Sequence, residues 1–199
     1  LLLARSGFRP LVLERGPELD ERVKAVEHFE KTGELNLNAN IQFGEGGAGT
    51  FSDGKLTTRV GDPLCAFVTD AFLQHGAPAD IAWRQKPHVG TDLLRGIIRS
   101  IRQEIIALGG EVRFNTALTG LKIENGALAS VETTAGDFAC EQLILAVGHS
   151  ARDTFAMLHG SGLPLECKPF SVGFRAEHLQ TEIDKSLYHA AAGHPVLPV

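Results

Sequence analysis

The stretch Asn40 to Leu56, NIQFGEGGAGTFSDGKL, places Gly44, Gly46, Gly47, Gly49 and Gly54 in one short run that neither a helix nor a strand would select. Glycine loses more backbone entropy on folding than any other residue, so such a density is unfavourable unless the backbone needs positive φ or close approach. The run predicts a loop that exposes backbone N–H groups with no Cβ in the way. Such a surface suits a phosphate or a flat polar ring.

Two familiar patterns overlie this loop, and both fail for physical reasons. Gly49 to Lys55 matches the phosphate loop GxxxxGK, but Leu56 stands where a magnesium-binding Ser or Thr is required. That argues against a nucleotide triphosphatase. Gly44, Gly46 and Gly49 also satisfy GxGxxG, yet a dinucleotide turn needs a strand before it and a helix and acid-ended strand after it. The polar stretch Thr57 to Asp62 follows instead, so that reading is rejected.

At 199 residues and 43% hydrophobic content the chain is long enough to bury a real core. Its formal charge of -5 offers no basic face for nucleic acid or an anionic membrane, which leaves small-molecule chemistry as the expectation. Cys65, Cys140 and Cys167 are widely spaced and form no C-x-x-C, which points to a reducing, cytoplasmic setting and away from zinc or a redox disulfide. No apolar run approaches a membrane span. No metal site is expected.

Along the chain, Leu1 to Arg5 reads as the tail of a helix and Phe8 to Glu14 as a buried strand ending in an acid. In a dinucleotide-binding βαβ unit the carboxylate closing the second strand accepts ribose hydroxyls, about 20 residues after the glycine turn. Counting back from Glu14 sets that turn before residue 1, so the first strand is expected to lie outside this sequence; termination of a strand by Glu14 alone is the plainer alternative. Asp20 to Lys31 is charged and weakly helical. Pro63 to His75 reads as a helix with proline in its first turn.

Leu94, Ile97, Ile98, Ile101, Ile105 and Leu108 share one face of a helix over 92–108, capped by Thr91 or Asp92, with Arg95, Arg99 and Arg102 on the other side. Gly109-Gly110 ends it and 111–114 is a strand. Residues 117–140 alternate around Asn125-Gly126, a hairpin signal, and read as a three-stranded meander. The apolar run 142–147 reads as a strand of a parallel sheet buried on both faces, joining strands 8–14 and 111–114. A helix follows to His159 with Ser150 as candidate cap, and Lys168 to Glu177 reads as a further strand.

Ligands of open α/β sheets lie beyond the carboxyl ends of strands, which makes Gly148 and His149 candidate cofactor neighbours; a tight turn and a local hydrogen bond are the bland readings. The tip of Gly44 to Lys55 is expected to border the same groove.

The segments FGEGGAGTFSDGKL, KPHVGTD, LAVGHSARDTF and KPFSVGF followed by EH together resemble the uncharacterised FAD-dependent dehydrogenases known as NAD(FAD)-utilising dehydrogenases. The likeness spans nearly the whole chain, departing at Ala39, where Ser is expected, and at Leu179, where Pro is usual. It implies an α/β fold: a Rossmann-like FAD/NAD(P)-binding parallel sheet with helices and a β-meander over 1–167, then the start of a C-terminal α+β domain over 168–199. The N-terminal GxGxxG turn and a C-terminal Gly-Asp flavin contact of that family are not in these residues.

The resemblance also implies a site. Glu14 would hold the adenosine ribose with Arg15 beside it. Gly44, Glu45, Gly46, Gly47, Ala48, Gly49, Thr50, Ser52, Asp53 and Lys55 would line the pyrophosphate and flavin side. Leu118 would touch adenine through its backbone, and Gly148, beside His149, would let the cofactor pass close. The expected function is an FAD-dependent oxidoreductase that moves hydride between a small-molecule substrate and flavin, with NADH or NADPH as electron donor. The alternative is a non-catalytic protein in which FAD is structural. Lys55 and the start of the helix at Ser150 are candidates to face negative charge on reduced flavin. No catalytic residue, substrate or oligomeric state is legible.

Overall fold

The computed structural model describes residues 1–199 apart from 52, 53, 57, 59, 84–88, 175, 198 and 199. Ser52 and Asp53 of the expected site, and Lys86, Pro87 and His88 of the KPHVGTD segment, therefore lie outside the described residues. The chain divides into two compact units, Leu1–Pro164 and Leu165–Val199.

In the first unit a short helix α1 (Leu2–Arg5) leads to strand β1 (Leu11–Leu13). Helix α2 (Leu19–Thr32) stops at Gly33, whose φ of 76° only glycine adopts at little cost and whose N–H returns to the Phe29 carbonyl. Helices α3 (Cys65–Gln74) and α4 (Thr91–Ala107) follow, and α4 delivers the chain to strand β2 (Glu111–Arg113). β2 lies parallel to β1, with Val12 opposite Val112. The pairing continues past both ends through Glu111 N–H to the Pro10 carbonyl and Glu14 N–H to the Arg113 carbonyl, each 2.9 Å. Glu14 is thereby held at the carboxyl end of a parallel strand.

The expected apolar stripe of α4 is real. Leu94 and Ile97 pack with Ile81 and Val89 into the core, closed by Phe72, Leu73 and Leu56. Each such side chain contributes about 1.5–3 kcal/mol by leaving water. Leu56, which denied the loop its magnesium ligand, is thus a packing residue. Thr91 does not cap α4: the cap position is Gly90, and no side chain bonds there.

The meander forms as expected, with β3 (Leu118–Glu124), β4 (Ala127–Thr133) and β5 (Phe138–Ala139) antiparallel in sequence order. Asn125 at φ 51° and Gly126 at φ 79° supply the two left-handed residues of a tight hairpin turn. Helix α5 (Arg152–Gly160) packs on β3. Its cap position is Ala151, without a side-chain bond, so Ser150 does not play that part.

Beyond these two caps, strand expectations fail as well: the strand expected buried over 8–14 is only Leu11–Leu13 and leaves Leu11 and Val12 38% and 40% exposed. Residues 142–147 join no strand, and Ile144 and Leu145 are 76% and 41% exposed. An apolar run records what a segment would bury, whereas a parallel strand also needs a neighbouring backbone to take its hydrogen bonds, and the described sheet holds only β1 and β2. The same holds for 168–177, whose described residues form no strand and expose Phe170, Val172 and Phe174. The second unit's regular structure is helix α6 (Gln180–Tyr188) followed by a 3-10 turn, His189–Ala191.

Candidate cofactor site

The asparagine-rich approach folds by side-chain mimicry of backbone turns. Asn36 Oδ1 accepts the N–H groups of Asn38 and Ala39 at 2.9 and 3.1 Å. Asn40 Oδ1 accepts those of Gln42 and Phe43 at 2.9 and 3.1 Å. The glycine loop then turns twice, Gly47 N–H to the Gly44 carbonyl at 2.9 Å and Thr50 N–H to the Gly47 carbonyl at 3.3 Å, entering a 3-10 turn, Ala48–Phe51.

One buried side chain gathers this loop. Arg22 of α2, fully buried, donates through Nε to the Asn40 carbonyl (3.0 Å), through Nη1 to those of Glu45 (2.6 Å) and Gly47 (3.0 Å), and through Nη2 to that of Ile41 (3.2 Å). Its guanidinium also lies over the Phe51 ring, 4.6 Å from the centroid, and Arg95 of α4 lies 4.8 Å from the same centroid. Burial brings the Arg22 pKa down to about 10, opposed by the charges of Glu14 and Glu45, so it stays cationic at neutral pH.

Glu45 ties the loop to two helices. Its Oε2 accepts the N–H of Leu19, an otherwise unpaired donor in the first turn of α2, at 2.8 Å, and its Oε1 is 3.2 Å from Arg102 Nε of α4. Burial raises the Glu45 pKa above the ordinary carboxylate value, against the lowering by the Leu19 N–H and Arg102. The arginine side of α4 is therefore an interface: Arg95 meets Phe51, Arg99 pairs with Asp20, and Arg102 reaches Glu18 and Glu45.

The glycines divide by purpose. A Cβ on Gly44 would stand 2.5 Å from Arg22 Cδ, one on Gly46 would overlap Thr50 Oγ1, and one on Gly54 would overlap the Val89 carbonyl oxygen. A Cβ on Gly47 or Gly49 would meet nothing within 4 Å, and Gly47 has φ 71°. Three glycines thus serve close packing, and two face open space. Beneath the loop Thr50 is fully buried, with Oγ1 lacking a hydrogen-bond partner among the described residues.

The strand-end acid lies close to this assembly. Glu14 Oε1 accepts the N–H of Gly16 at 2.8 Å, and a Cβ on Gly16 would run into the Asn38 carbonyl oxygen, so the turn after β1 presses on the asparagine segment. Thr116 N–H donates to the Glu14 carbonyl at 2.9 Å, which sets Leu118 two residues beyond that anchor, at the start of β3. Arg15 pairs with Asp153 in the first turn of α5 and holds that carboxyl below its ordinary range. Gly148 is at φ 78° with open space at its Cβ position; His149 is exposed, its ring nitrogens 3.3 and 3.4 Å from Ser150 Oγ. Lys55 is exposed.

Sequence reasoning missed Arg22, Phe51 and Arg102. The signal was present for Arg22: it shares a helix face with Leu19 and Val26, three before and four after, and all three are buried. A charge on an apolar stripe marks a buried polar contact.

The residues present fit an extended anionic cofactor on one observation: the outer side of Gly47 is open at a backbone conformation that disfavours side chains, while the inner side is packed. Among solved structures, the chain is similar to an L-amino acid deaminase from Proteus myxofaciens in complex with anthranilate, at 15% identity over 82% of this chain and 44% of that chain, TM-score 0.39. It is also similar to a glycine oxidase from Bacillus cereus ATCC 14579, at 14% identity over 80% of this chain and 54% of that chain, TM-score 0.45. An uncharacterized protein of Clostridium beijerinckii (strain ATCC 51743 / NCIMB 8052) is 49% identical over 197 residues, covering 99% of this chain, which spans 37% of that relative's length. A model of one family, FAD dependent oxidoreductase, matches residues 95–199, just over half of the chain. The chain belongs to the FAD dependent oxidoreductase family.

Proposed function

We propose that this chain forms the cofactor-holding part of an FAD-dependent dehydrogenase acting on a small molecule, with NADH or NADPH as electron donor. The observation that carries this reading is the outward-open Gly47 on a loop whose inner side is clamped by a buried arginine. When bound, FAD would supply a carrier that accepts hydride from the nicotinamide and passes it to the substrate, which no side chain offers.

The chain's own residues bind and orient. Glu14, its Oε1 fixed by the Gly16 N–H, is the acceptor for a ribose hydroxyl, with Arg15 beside it. Gly46, Gly47 and Ala48, the exposed part of the loop, present backbone to the pyrophosphate and ring, while Gly44 and the fully buried Thr50 support them from the packed side and do not line the cofactor. The main chain of Leu118 and Gly148 completes the walls. Lys55 and the first turn of α5 near His149 face negative charge on the cofactor. The match to the family begins at residue 95, beyond the loop, so these roles rest on the geometry of the loop and on the resemblance of its sequence.

No helix among the described residues is long and apolar enough to cross a membrane, and no cluster of metal-binding side chains occurs among them. The three cysteines are unpaired, which suits the reducing cytoplasm we propose as its setting.

The test is the visible spectrum of the purified holoprotein before and after NADH or NADPH is added without oxygen. A flavin band that bleaches is the expected result. A colourless protein overturns the cofactor assignment, and a band unmoved by either nucleotide overturns the proposed electron donor and favours a structural flavin.

A further inference from the structure

Arg22 is fully buried, and its donors end on four backbone carbonyls, those of Asn40, Ile41, Glu45 and Gly47. Across a planar trans peptide the C=O and the following N–H point in opposite directions. The carbonyls of Glu45 and Gly47 aim at the guanidinium, so the N–H groups of Gly46 and Ala48 are turned away from it. Those amides belong to the part of the loop where Gly47 opens onto free space. The Phe51 ring, which both the Arg22 and the Arg95 guanidinium groups overlie, braces Arg22 from within the loop.

We infer that Arg22 is a positioning residue for the cofactor: by drawing the Glu45 and Gly47 carbonyls inward it presents the Gly46 and Ala48 N–H groups outward to an anionic group, with its own positive charge behind them. The anion class is a pyrophosphate or phosphate diester, which accepts hydrogen bonds from successive backbone amides. This inference rests on the flavin reading of the loop. Lysine cannot replace the group, because one compact ammonium lacks the planar fork that spans four carbonyls. Glycine at position 44 belongs to the same device, since a Cβ there would stand 2.5 Å from Arg22 Cδ and displace the guanidinium without removing it.

The test compares Arg22→Lys, Gly44→Ala and Gly47→Val with the parent holoprotein. Flavin dissociation constants come from fluorescence titration of the deflavinated proteins, and fold from far-UV circular dichroism and melting. Positioning is read from the visible circular dichroism of bound flavin and from amide hydrogen exchange at Gly46 and Ala48. Arg22→Lys is expected to weaken flavin binding by about tenfold or more, with a changed visible dichroic signal and faster exchange at both amides, while the far-UV spectrum is kept. Gly44→Ala gives the same pattern and decides the matter if Arg22→Lys fails to fold. Affinity within about twofold of the parent in the deciding variant overturns the inference. A Gly47→Val protein that stays fully yellow overturns the flavin reading itself, whatever the Arg22 variant does.

Discussion

The Val89 N–H donates to the Gly54 carbonyl at 3.0 Å, and the two backbones lie so close that a Cβ on Gly54 would overlap the Val89 carbonyl oxygen. Val89 is fully buried in the core cluster, so the end of the glycine loop is stitched directly into the hydrophobic core. Gly54→Ala must then move backbone that is already packed, and at φ 64° alanine is also strained. Urea unfolding should show a loss of about 2–4 kcal/mol. An unchanged midpoint would mean that the loop end is free to shift.

Gly47→Val should behave in the opposite way. Its Cβ has nothing within 4 Å to strike, so the fold loses only the strain of φ 71°, at most about 3 kcal/mol. A branched side chain would nevertheless occupy the volume proposed for the cofactor. The expected outcome is a folded, colourless protein, measured as flavin absorbance relative to protein absorbance after gel filtration. Full yellow stoichiometry would remove the loop from the cofactor site.

Glu45 predicts a pH dependence with a definite sign. Burial raises its pKa above 4.5, so the native state holds this proton more tightly than the unfolded chain does. The associated stabilisation is fully present below the unfolded pKa and is lost as pH rises through the folded one. Stability of the parent minus that of Glu45→Gln should therefore fall as pH is raised from 4.5 toward neutrality, measured by urea unfolding at several pH values. A difference growing in the parent's favour over that window would show that the Leu19 N–H and Arg102 outweigh burial.

Ile97→Ala tests the core. Ile97 is 2% exposed in the cluster with Ile81, Val89 and Leu94, so truncation removes apolar contact and leaves a cavity, at a loss of about 2–5 kcal/mol by chemical denaturation. A loss below about 1 kcal/mol would show that α4 can collapse onto α3.

The amino-acid sequence by itself determined the elements whose signals are local. The stripe from Leu94 to Ile105 made α4, because residues three and four apart share a helix face. Asn125-Gly126 made the hairpin, because both positions need left-handed φ. The density of glycines between Gly44 and Gly54 already marked a loop with special backbone, and the wording of that loop carried the family resemblance.

Only the tertiary structure decided what each glycine is for, because the reason lies in an atom distant along the chain: Arg22 Cδ for Gly44, the Val89 carbonyl for Gly54, open space for Gly47. It also decided that the α4 arginines reach α2 and the loop, Arg102 mostly withdrawn from water and Arg99 still partly exposed. Strand 142–147 failed as a reading for the same reason in reverse: its apolar residues are a local fact, and a ladder partner is not. Arg22 stands between the two cases. Its place on a buried helix stripe is written in the sequence, but the carbonyls that make its burial tolerable come together only when the loop from Asn40 to Gly47 closes around it.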